Sequence, residues 1–391
     1  MNEYIQHLTA SLAFNDYLPE LAAWALDVCI RIQQIPAPTF AEAERAAYVA
    51  EQFRALGLED VEIDDLYNVT GVLKGAASGV GILIMAHTDT VFPASTDLTI
   101  TYPAPDVVAG PGIGDNSMGV AGMLALARYF QRVERRPACD LWFAATSCEE
   151  GLGDLKGVRA VYARLADQVG AVINIEGMAL GHVYHAGIAS HRLRLQVTAE
   201  GGHSWLHFGR PSAIHALIEI AARLTQLSVP AVPRTTFNIG MIEGGQSINT
   251  IAASASLLLD LRSESQEELE RLKQQVNSLL LAVPTGTTLS VEVVGDRPTG
   301  SMPARHSLVK GALQALREVG IEGTLESGST DGNIPLYHRC PCVTIGITRG
   351  GNAHRLDEFI HVPPIAQGIQ QLITLTLATA QAQADRQIEG L

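Results

Sequence analysis

The chain has 391 residues, a length that accommodates one large domain or two moderate ones. Apolar residues make up 47% and charged residues 17%, a composition typical of globular proteins that excludes a disordered chain. The formal net charge of −14 argues against nucleic acid or an anionic membrane as the main partner. Five cysteines are too few for a disulfide scaffold in a chain of this length, so we expect a reduced, cytoplasmic protein.

The sequence predicts neither a targeting segment nor a membrane span. The start, Met1 to Tyr4, lacks the basic and apolar regions of a signal peptide. The longest uncharged stretch, 362–384, contains two prolines and five glutamines, a composition that argues against a membrane span. Its apolar residues recur at helical spacing, which predicts a helix packed on a core.

Helical and strand patterns alternate over the first half of the chain. Helices are predicted over 18–34, 41–56 and 117–133, and strands near 61–63 and 70–73. Short apolar runs at 81–86, 141–146 and 171–175 are typical of strands buried on both faces. This alternation predicts an α/β domain with a mostly parallel sheet and helices on both faces.

The pattern changes after residue 189. A strictly alternating strand at 192–198 is followed by a helix over 211–227, strands at 235–242 and 254–261, a helix that opens at 263–265, and a strand at 289–294. This β-α-β-β-α-β order is the ferredoxin-like unit. From residue 303 the α/β alternation resumes. The sequence therefore predicts a discontinuous α/β domain, 1–188 and 298–391, with an inserted α+β domain at 189–297.

Polar residues that follow buried strands of such a sheet collect at one edge. His87 and Asp89 follow the run 81–86 and point the same way, as a metal ligand and the group that orients it would. A simpler reading is a pair that caps the strand end. Asp115 precedes a predicted helix, where an ordinary N-cap is an equally good reading.

Three further strand ends carry similar residues. Glu149 and Glu150 are adjacent and repel each other unless cations or protons intervene, although a solvated acidic turn is also possible. Glu176 and His354 follow the remaining buried strands. Taken together, two histidines and four carboxylates, besides Asp89, suit two divalent cations that share a bridging carboxylate. Mixed imidazole and carboxylate ligands favour zinc, and manganese or cobalt also fits.

These residues occur in motifs that resemble one family. The motifs are His87-Thr88-Asp89-Thr90-Val91, Gly114-Asp115-Asn116, Glu149-Glu150-Gly151, Glu176 and His354. They are similar to the signatures of the dinuclear-zinc metallopeptidases, which include glutamate carboxypeptidase, tripeptide aminopeptidase, acetylornithine deacetylase and aminoacylase. The similarity covers nearly the whole chain. It implies a zinc-exopeptidase-like catalytic domain with an inserted lid and dimerisation domain.

The resemblance also implies roles for these residues. It assigns His87 and Glu176 to one zinc ion, Glu150 and His354 to the other, and Asp115 to both. Asp89 would orient His87, and Glu149 would be the general base that deprotonates the attacking water. The resemblance further implies a cis peptide bond between Asp115 and Asn116.

In the inserted domain, Gly201-Gly202-His203-Ser204 resembles a lid motif whose histidine stabilises the oxyanion. The resemblance implies substrate contacts for Asn249 and, by a looser match, Arg297. It also implies a homodimer in which His203 reaches the partner's active site. Three residues depart from the family pattern and affect pocket shape: Asn116, Ser329 and Trp205.

The expected activity is metal-dependent exo-hydrolysis of amide bonds in small peptides or N-acyl amino acids. Glutamate rather than aspartate at Glu176 favours a carboxypeptidase or deacylase within the resembling family. One alternative is a tripeptide aminopeptidase or dipeptidase activity. Another, from a different class, is a catalytically silent protein that binds a peptide or amino acid.

Other histidines and thiols are expected to be structural. His182, His185 and His191 follow Glu176 in the sequence, but surface or core roles are the simpler reading. Cys148 and Cys342 are nucleophiles only in principle, because no motif marks them, and buried packing is expected for both.

Overall fold

The computed structural model describes residues 1–11, 17–388 and 390. The chain divides into two compact units. The α/β unit comprises Met1–Gly187 and Gly300–Leu391, and the inserted unit comprises Ile188–Thr299. The boundaries expected from the sequence, after residues 188 and 297, lie within two residues of these crossings.

Helices and strands alternate in the first part of the α/β unit. The helices are α1 (Asn2–Ser11), α2 (Leu18–Gln33), α3 (Ala43–Ala55), α4 (Gly119–Val133) and α5 (Lys156–Leu165). The strands are β1 (Glu59–Ile63), β2 (Val69–Leu73), β3 (Gly81–His87), β4 (Thr101–Ala104), β5 (Val107–Ala109), β6 (Leu141–Thr146), β7 (Val169–Ile175) and β8 (His182–Gly187). A π-helical turn, Ile113–Met118, leads directly into α4.

The inserted unit has the predicted β-α-β-β-α-β order with two additional short strands. Its elements are β9 (Ala189–Thr198), β10 (Gly202–His203), α6 (Ala213–Leu224), β11 (Thr235–Gly244), β12 (Thr250–Ile251), β13 (Ser254–Ser263), α7 (Gln266–Leu280) and β14 (Thr288–Arg297). The antiparallel sheet has the order β11-β13-β9-β14. Alternate residues of β9 and β13 form one core with α6 and α7, so this sheet is covered on one face.

The last part of the chain completes the α/β unit. Its elements are α8 (Ser307–Glu318), β15 (Thr324–Gly328), α9 (Asn333–Tyr337), β16 (Cys342–Ile345), β17 (Gly350–Gly351), β18 (Phe359–His361) and α10 (Ile365–Ala384). The main sheet has the order β1-β2-β6-β3-β7-β16-β8-β15, and its central strands β6, β3, β7 and β16 are parallel. The predicted α/β class with a mostly parallel sheet is confirmed.

The register of the central strands explains where the polar residues collect. Every residue of β3 is buried, as expected for a strand with packed layers on both faces. His87 at the end of β3 pairs with Thr146 at the end of β6, and Ile175 of β7 pairs with Ile345 of β16. The segments that follow these four strands therefore leave the sheet at the same edge.

A second, smaller sheet joins two of these segments. It has the order β17-β18-β5-β4, and Phe359 of β18 pairs with Ala109 of β5. The strand β5 leads to Asp115, whereas β18 directly follows the loop that carries His354. Among the described residues, no helix is both long and apolar enough to cross a lipid bilayer.

Candidate metal centre

Five side chains of the α/β unit converge at the carboxyl edge of the main sheet. His87 Nε2 lies 3.1 Å from Asp115 Oδ1 and 3.6 Å from Glu176 Oε2. His354 Nε2 lies 3.2 Å from Asp115 Oδ2 and 3.0 Å from Glu150 Oε1. The two oxygens of Asp115 thus face different histidines, and each histidine also faces a second carboxylate.

These separations suit metal coordination. Ligand atoms bound 2.0–2.1 Å from a tetrahedral zinc ion lie about 3.3 Å apart. The four imidazole–carboxylate distances, 3.0 to 3.6 Å, bracket this value. Potential ligand atoms of His87, Asp115 and Glu176 lie within 4.8 Å of one another, as do those of Asp115, Glu150 and His354. Two cations that share Asp115 therefore fit the donors that are present.

The orientation of His87 is fixed by its second ring nitrogen. Nδ1 lies 3.1 Å from the main-chain oxygen of Asp89, which can only accept a hydrogen bond. Nδ1 therefore donates the proton, and the lone pair of the neutral imidazole is on Nε2. The carboxylate of Asp89 is 3.5 Å from the same nitrogen. The main-chain oxygen and the carboxylate of Asp89 therefore orient the ring of His87 so that Nε2 faces the centre, as groups hydrogen-bonded to a metal-binding histidine do.

Neighbouring charges shift the pKa values of the side chains in the centre. Burial raises the pKa of Asp115, but hydrogen bonds from His354 and His87 outweigh it and hold this pKa well below its usual range. Hydrogen bonds to Asp115 and Glu150 raise the pKa of His354 to about 10, despite the opposing effect of burial. Burial lowers the pKa of His87, but the charge of Glu176 and hydrogen bonds to carboxylates raise it well above its ordinary value. The carboxylates therefore require positive charge, which two divalent cations can supply in place of protons.

Asp89 also holds the turn that carries the adjacent glutamates. The main-chain N–H groups of Glu149 and Glu150 each donate to a different oxygen of Asp89, at 2.9 Å in both cases. Thr39 Oγ1 donates to the same carboxylate at 2.8 Å. Both glutamates are buried, and potential ligand atoms of Glu149, Glu150 and His87 lie within 4.8 Å of one another. The carboxylate of Glu149 is thus held beside the proposed ligands.

Asn116, one of the three departures from the family pattern, contacts the segment that carries Glu176. Its Nδ2 donates to the Ile175 oxygen at 2.8 Å, and its Oδ1 accepts from the Gly177 N–H at 2.9 Å. The side-chain amide of Asn116 therefore binds the residues on both sides of Glu176. An aspartate at this position would lack the N–H group that donates to Ile175. The peptide bond between Asp115 and Asn116 is cis, which confirms the expectation from the resemblance.

Glu358 belongs to the site but was not identified from the sequence. Its buried carboxylate accepts three main-chain N–H groups of the loop that leads to Asp115. It lies four residues after His354 and directly before β18. No motif points to it, because its partners are main-chain groups that are more than 240 residues away in the sequence.

Two of the predicted residues of the inserted unit lie together. The Ser204 N–H donates to the main-chain oxygen of Asn249 at 2.9 Å, and His203 pairs with Thr250 between β10 and β12. Nδ1 of His203 accepts the main-chain N–H groups of Trp205 at 3.2 Å and Leu206 at 3.4 Å. The proton of the neutral ring is therefore on Nε2, which leaves His203 a hydrogen-bond donor.

Arg297 lies at the opposite end of the inserted sheet from His203. It pairs with Ser190 at the start of β9, whereas the end of β9, Thr198, leads to His203. At about 3.4 Å per residue, Ser190 and Thr198 are about 27 Å apart. Within this unit, the structure does not bring Arg297 together with His203 and Asn249.

The remaining histidines have local partners. His182 Nδ1 is 2.8 Å from Thr324 Oγ1, and His185 Nδ1 donates to the Met302 oxygen at 2.6 Å. His191 is 2.8 Å from Asp296. These contacts agree with the structural roles expected for the three histidines.

The five cysteines are unpaired and buried. Burial raises the pKa of Cys148 to about 12, and it raises that of Cys342 well above its ordinary value. Neither thiol is suited to act as a nucleophile near neutral pH, because the thiolate is the reactive form.

Comparisons with known proteins agree with this geometry. Residues 83–378 match the model of peptidase family M20/M25/M40. The chain belongs to this family. It is 25% identical over 343 residues to a succinyl-diaminopimelate desuccinylase of Nitrosococcus oceani, a match that covers 80% of this chain and 88% of the relative.

Solved structures share the fold. A tripeptidase from Staphylococcus aureus aligns with a TM-score of 0.75 and 20% identity, over 92% of this chain and 99% of that chain. The YXEP protein of Bacillus subtilis, described as a dinuclear metal binding peptidase of the M20 family, aligns with a TM-score of 0.66 and 14% identity, over 93% of this chain and 99% of that chain. The chain is a metallopeptidase-family enzyme that hydrolyses amide bonds. This finding argues against the alternative of a catalytically silent protein that binds a peptide or amino acid.

We expect the wild-type protein to bind two zinc ions per chain, because Asp115 offers one oxygen to each set of ligands. His354→Ala should retain one ion and lose activity, since Asp115 and Glu150 alone remain at the second position. Elemental analysis after zinc loading and desalting measures the zinc content of the wild-type protein and of the variant. His182→Ala is the control and should keep two ions. A wild-type protein that holds no more than one ion after zinc or manganese loading would contradict the two-ion centre.

Proposed function

We propose that the enzyme is an exo-hydrolase of amide bonds in small peptides or N-acyl amino acids that uses two zinc ions. The observation that carries the proposal is the position of Asp115, whose two oxygens face His87 and His354 at 3.1 and 3.2 Å. The mixture of imidazole and carboxylate donors favours zinc, and manganese or cobalt is the alternative.

The proposed reaction divides the work between the metal ions and the side chains. When bound, the ions would lower the pKa of the attacking water and polarise the scissile carbonyl. Glu149 takes the proton from this water and later gives it to the leaving amine. Asp89 supports this role, because it binds the main-chain N–H of Glu149 and so fixes the turn. His203, with its proton on Nε2, donates to the oxyanion.

We favour a carboxypeptidase or deacylase over an aminopeptidase or dipeptidase. Glutamate at position 176 supports this direction, and the desuccinylase relative removes an acyl group, by its name. The tripeptidase neighbour keeps the alternative open, since it shares the fold at 20% identity. We also propose a cytoplasmic location, which the five unpaired, buried cysteines support.

A substrate screen tests the direction of cleavage. The zinc-loaded enzyme is incubated with N-acyl amino acids, dipeptides and tripeptides whose amino or carboxyl terminus is blocked in turn. We expect hydrolysis of substrates with a free carboxylate and an acylated amine. Cleavage only of peptides with a free amino terminus would favour the aminopeptidase instead. The Glu149→Ala variant serves as the control for contaminating hydrolases.

The adjacent glutamates should differ in what their removal affects. Glu149→Ala should keep both zinc ions and lower kcat by about 10²–10⁴-fold, the usual contribution of a general base. Glu150→Ala should lose a metal ion in addition to activity, because the carboxylate of Glu150 faces His354 at 3.0 Å in the wild-type protein. Zinc stoichiometry and kcat, measured on the same preparations, separate the two roles. Equal metal loss in both variants would contradict this division.

We further propose a homodimer formed through the inserted unit. Strand β11 lies at one edge of its sheet, and the main-chain groups on its outer side suit pairing with another chain. Met241 and Ile242 of this strand are more than half exposed. His203 lies in this unit, outside every segment that supplies a proposed metal ligand. From the family resemblance, we propose that it acts on the active site of the partner subunit.

Mixing two inactive variants tests this arrangement. His203→Ala should keep its metals and lose about 10²–10³-fold in rate, the effect of removing one oxyanion donor. Exchange of Glu149→Ala with His203→Ala subunits should restore activity, because one site of each mixed dimer has Glu149 and the partner's His203. Random exchange in equal amounts should recover about a quarter of the wild-type rate. A mixture that stays inactive after verified exchange, or an active monomer, would refute the arrangement.

A further inference from the structure

Glu358 forms a set of contacts that none of the proposed catalytic roles uses. Its side chain is fully buried, and both carboxylate oxygens are engaged. Oε1 accepts the main-chain N–H of Gly114 at 2.7 Å and that of Asp115 at 2.8 Å, and Oε2 accepts the Gly112 N–H at 3.3 Å. The three N–H groups, from residues 112, 114 and 115, converge on one carboxylate in the way that the N–H groups of an anion-binding nest converge on an anion.

This set of N–H groups lies directly behind the bridging carboxylate. Asp115 donates its main-chain N–H to Glu358 and turns its side chain to His87 and His354. The position of the side chain depends on the position of this backbone, so a shift of the loop moves both oxygens of Asp115. The Gly110 N–H also donates to the main-chain oxygen of Glu358, at 2.8 Å.

The same residue is close in sequence to a second proposed ligand. Glu358 ends the loop that carries His354, and β18 begins at the next residue. Pairing of Phe359 with Ala109 fixes this strand against β5, which precedes the Asp115 loop. One side chain therefore connects the two segments that supply Asp115 and His354.

We propose that Glu358 is a positioning residue that sets the bridging geometry of Asp115 and thereby the affinity for both metal ions. The inference rests on the metal centre proposed above. Loss of a group that orients a metal ligand typically weakens metal binding by 10–100-fold. Because Asp115 serves both positions, the loss should affect both ions, in contrast to the loss of a ligand such as Glu150.

Glu358→Gln is the informative substitution because it keeps the size of the side chain. An amide has one acceptor oxygen and an NH₂ group that only donates. In either orientation, at least one of the three loop N–H groups would face another N–H. Glu322→Gln is the matched control: it makes the same chemical change at an exposed residue that pairs with Arg317 at 3.3 Å.

The test is zinc titration of the metal-free full chain by calorimetry, together with thermal unfolding of the same metal-free samples. We expect Glu358→Gln to unfold cooperatively and to bind both zinc ions about 10–100-fold more weakly than the wild-type protein. Glu322→Gln should match the wild-type protein. Cobalt substitution gives a second readout, since the ligand-field spectrum of Glu358→Gln should differ from that of the wild-type protein.

Three results would overturn the proposal in distinguishable ways. Unchanged zinc affinity in Glu358→Gln with a lower unfolding temperature would give Glu358 a purely structural role. Weakening at one ion alone would contradict its action through the bridge. A wild-type chain that binds no zinc would also remove the proposed centre itself. If Glu358→Gln does not fold, Glu358→Asp replaces it, because it keeps the charge, shortens the reach and should weaken binding of both ions.

Discussion

The arrangement of the catalytic edge depends on one carboxylate that is shared between two imidazoles. Asp115 can face His87 and His354 at once only if segments from distant parts of the sequence meet within hydrogen-bonding distance. Bringing three carboxylates and two imidazoles together is unfavourable without compensating positive charge. Bound cations would therefore stabilise this cluster of charged side chains, and the close-packed core of the α/β unit holds the side chains in place.

The fold supplies this rigidity in two ways. The central parallel strands end in register, so the residues that follow β3, β6 and β7 emerge side by side. The small sheet and Glu358 then connect the loops of Asp115 and His354, which no strand of the main sheet carries directly. Strand ends alone would place part of the ligand set, and the additional contacts place the rest.

Much of this could be predicted from the sequence because buried parallel strands have a strong apolar signature. The runs at 81–86 and 141–146 lie within β3 and β6, and the polar residues after them lie in the centre. The sequence marks helix starts less sharply. The helix predicted from Pro211 begins at Ala213, because Ser212 keeps an extended backbone as its N-cap. Glu358 could not be identified, since main-chain N–H groups leave no trace in residue types. The roles of Asn249 and Arg297 depend on the substrate, which residue patterns do not specify.

The distribution of the cysteines has a practical consequence for measurements of stability. All five are buried in the α/β unit, and the inserted unit has none. A thiol reagent can react with them only when the surrounding structure opens, because all five thiols are buried in the folded state. Labelling rates would therefore report the opening of the α/β unit alone. A single buried cysteine introduced into the inserted unit would provide a labelling site there, so that the opening rate of each unit could be measured in one intact chain.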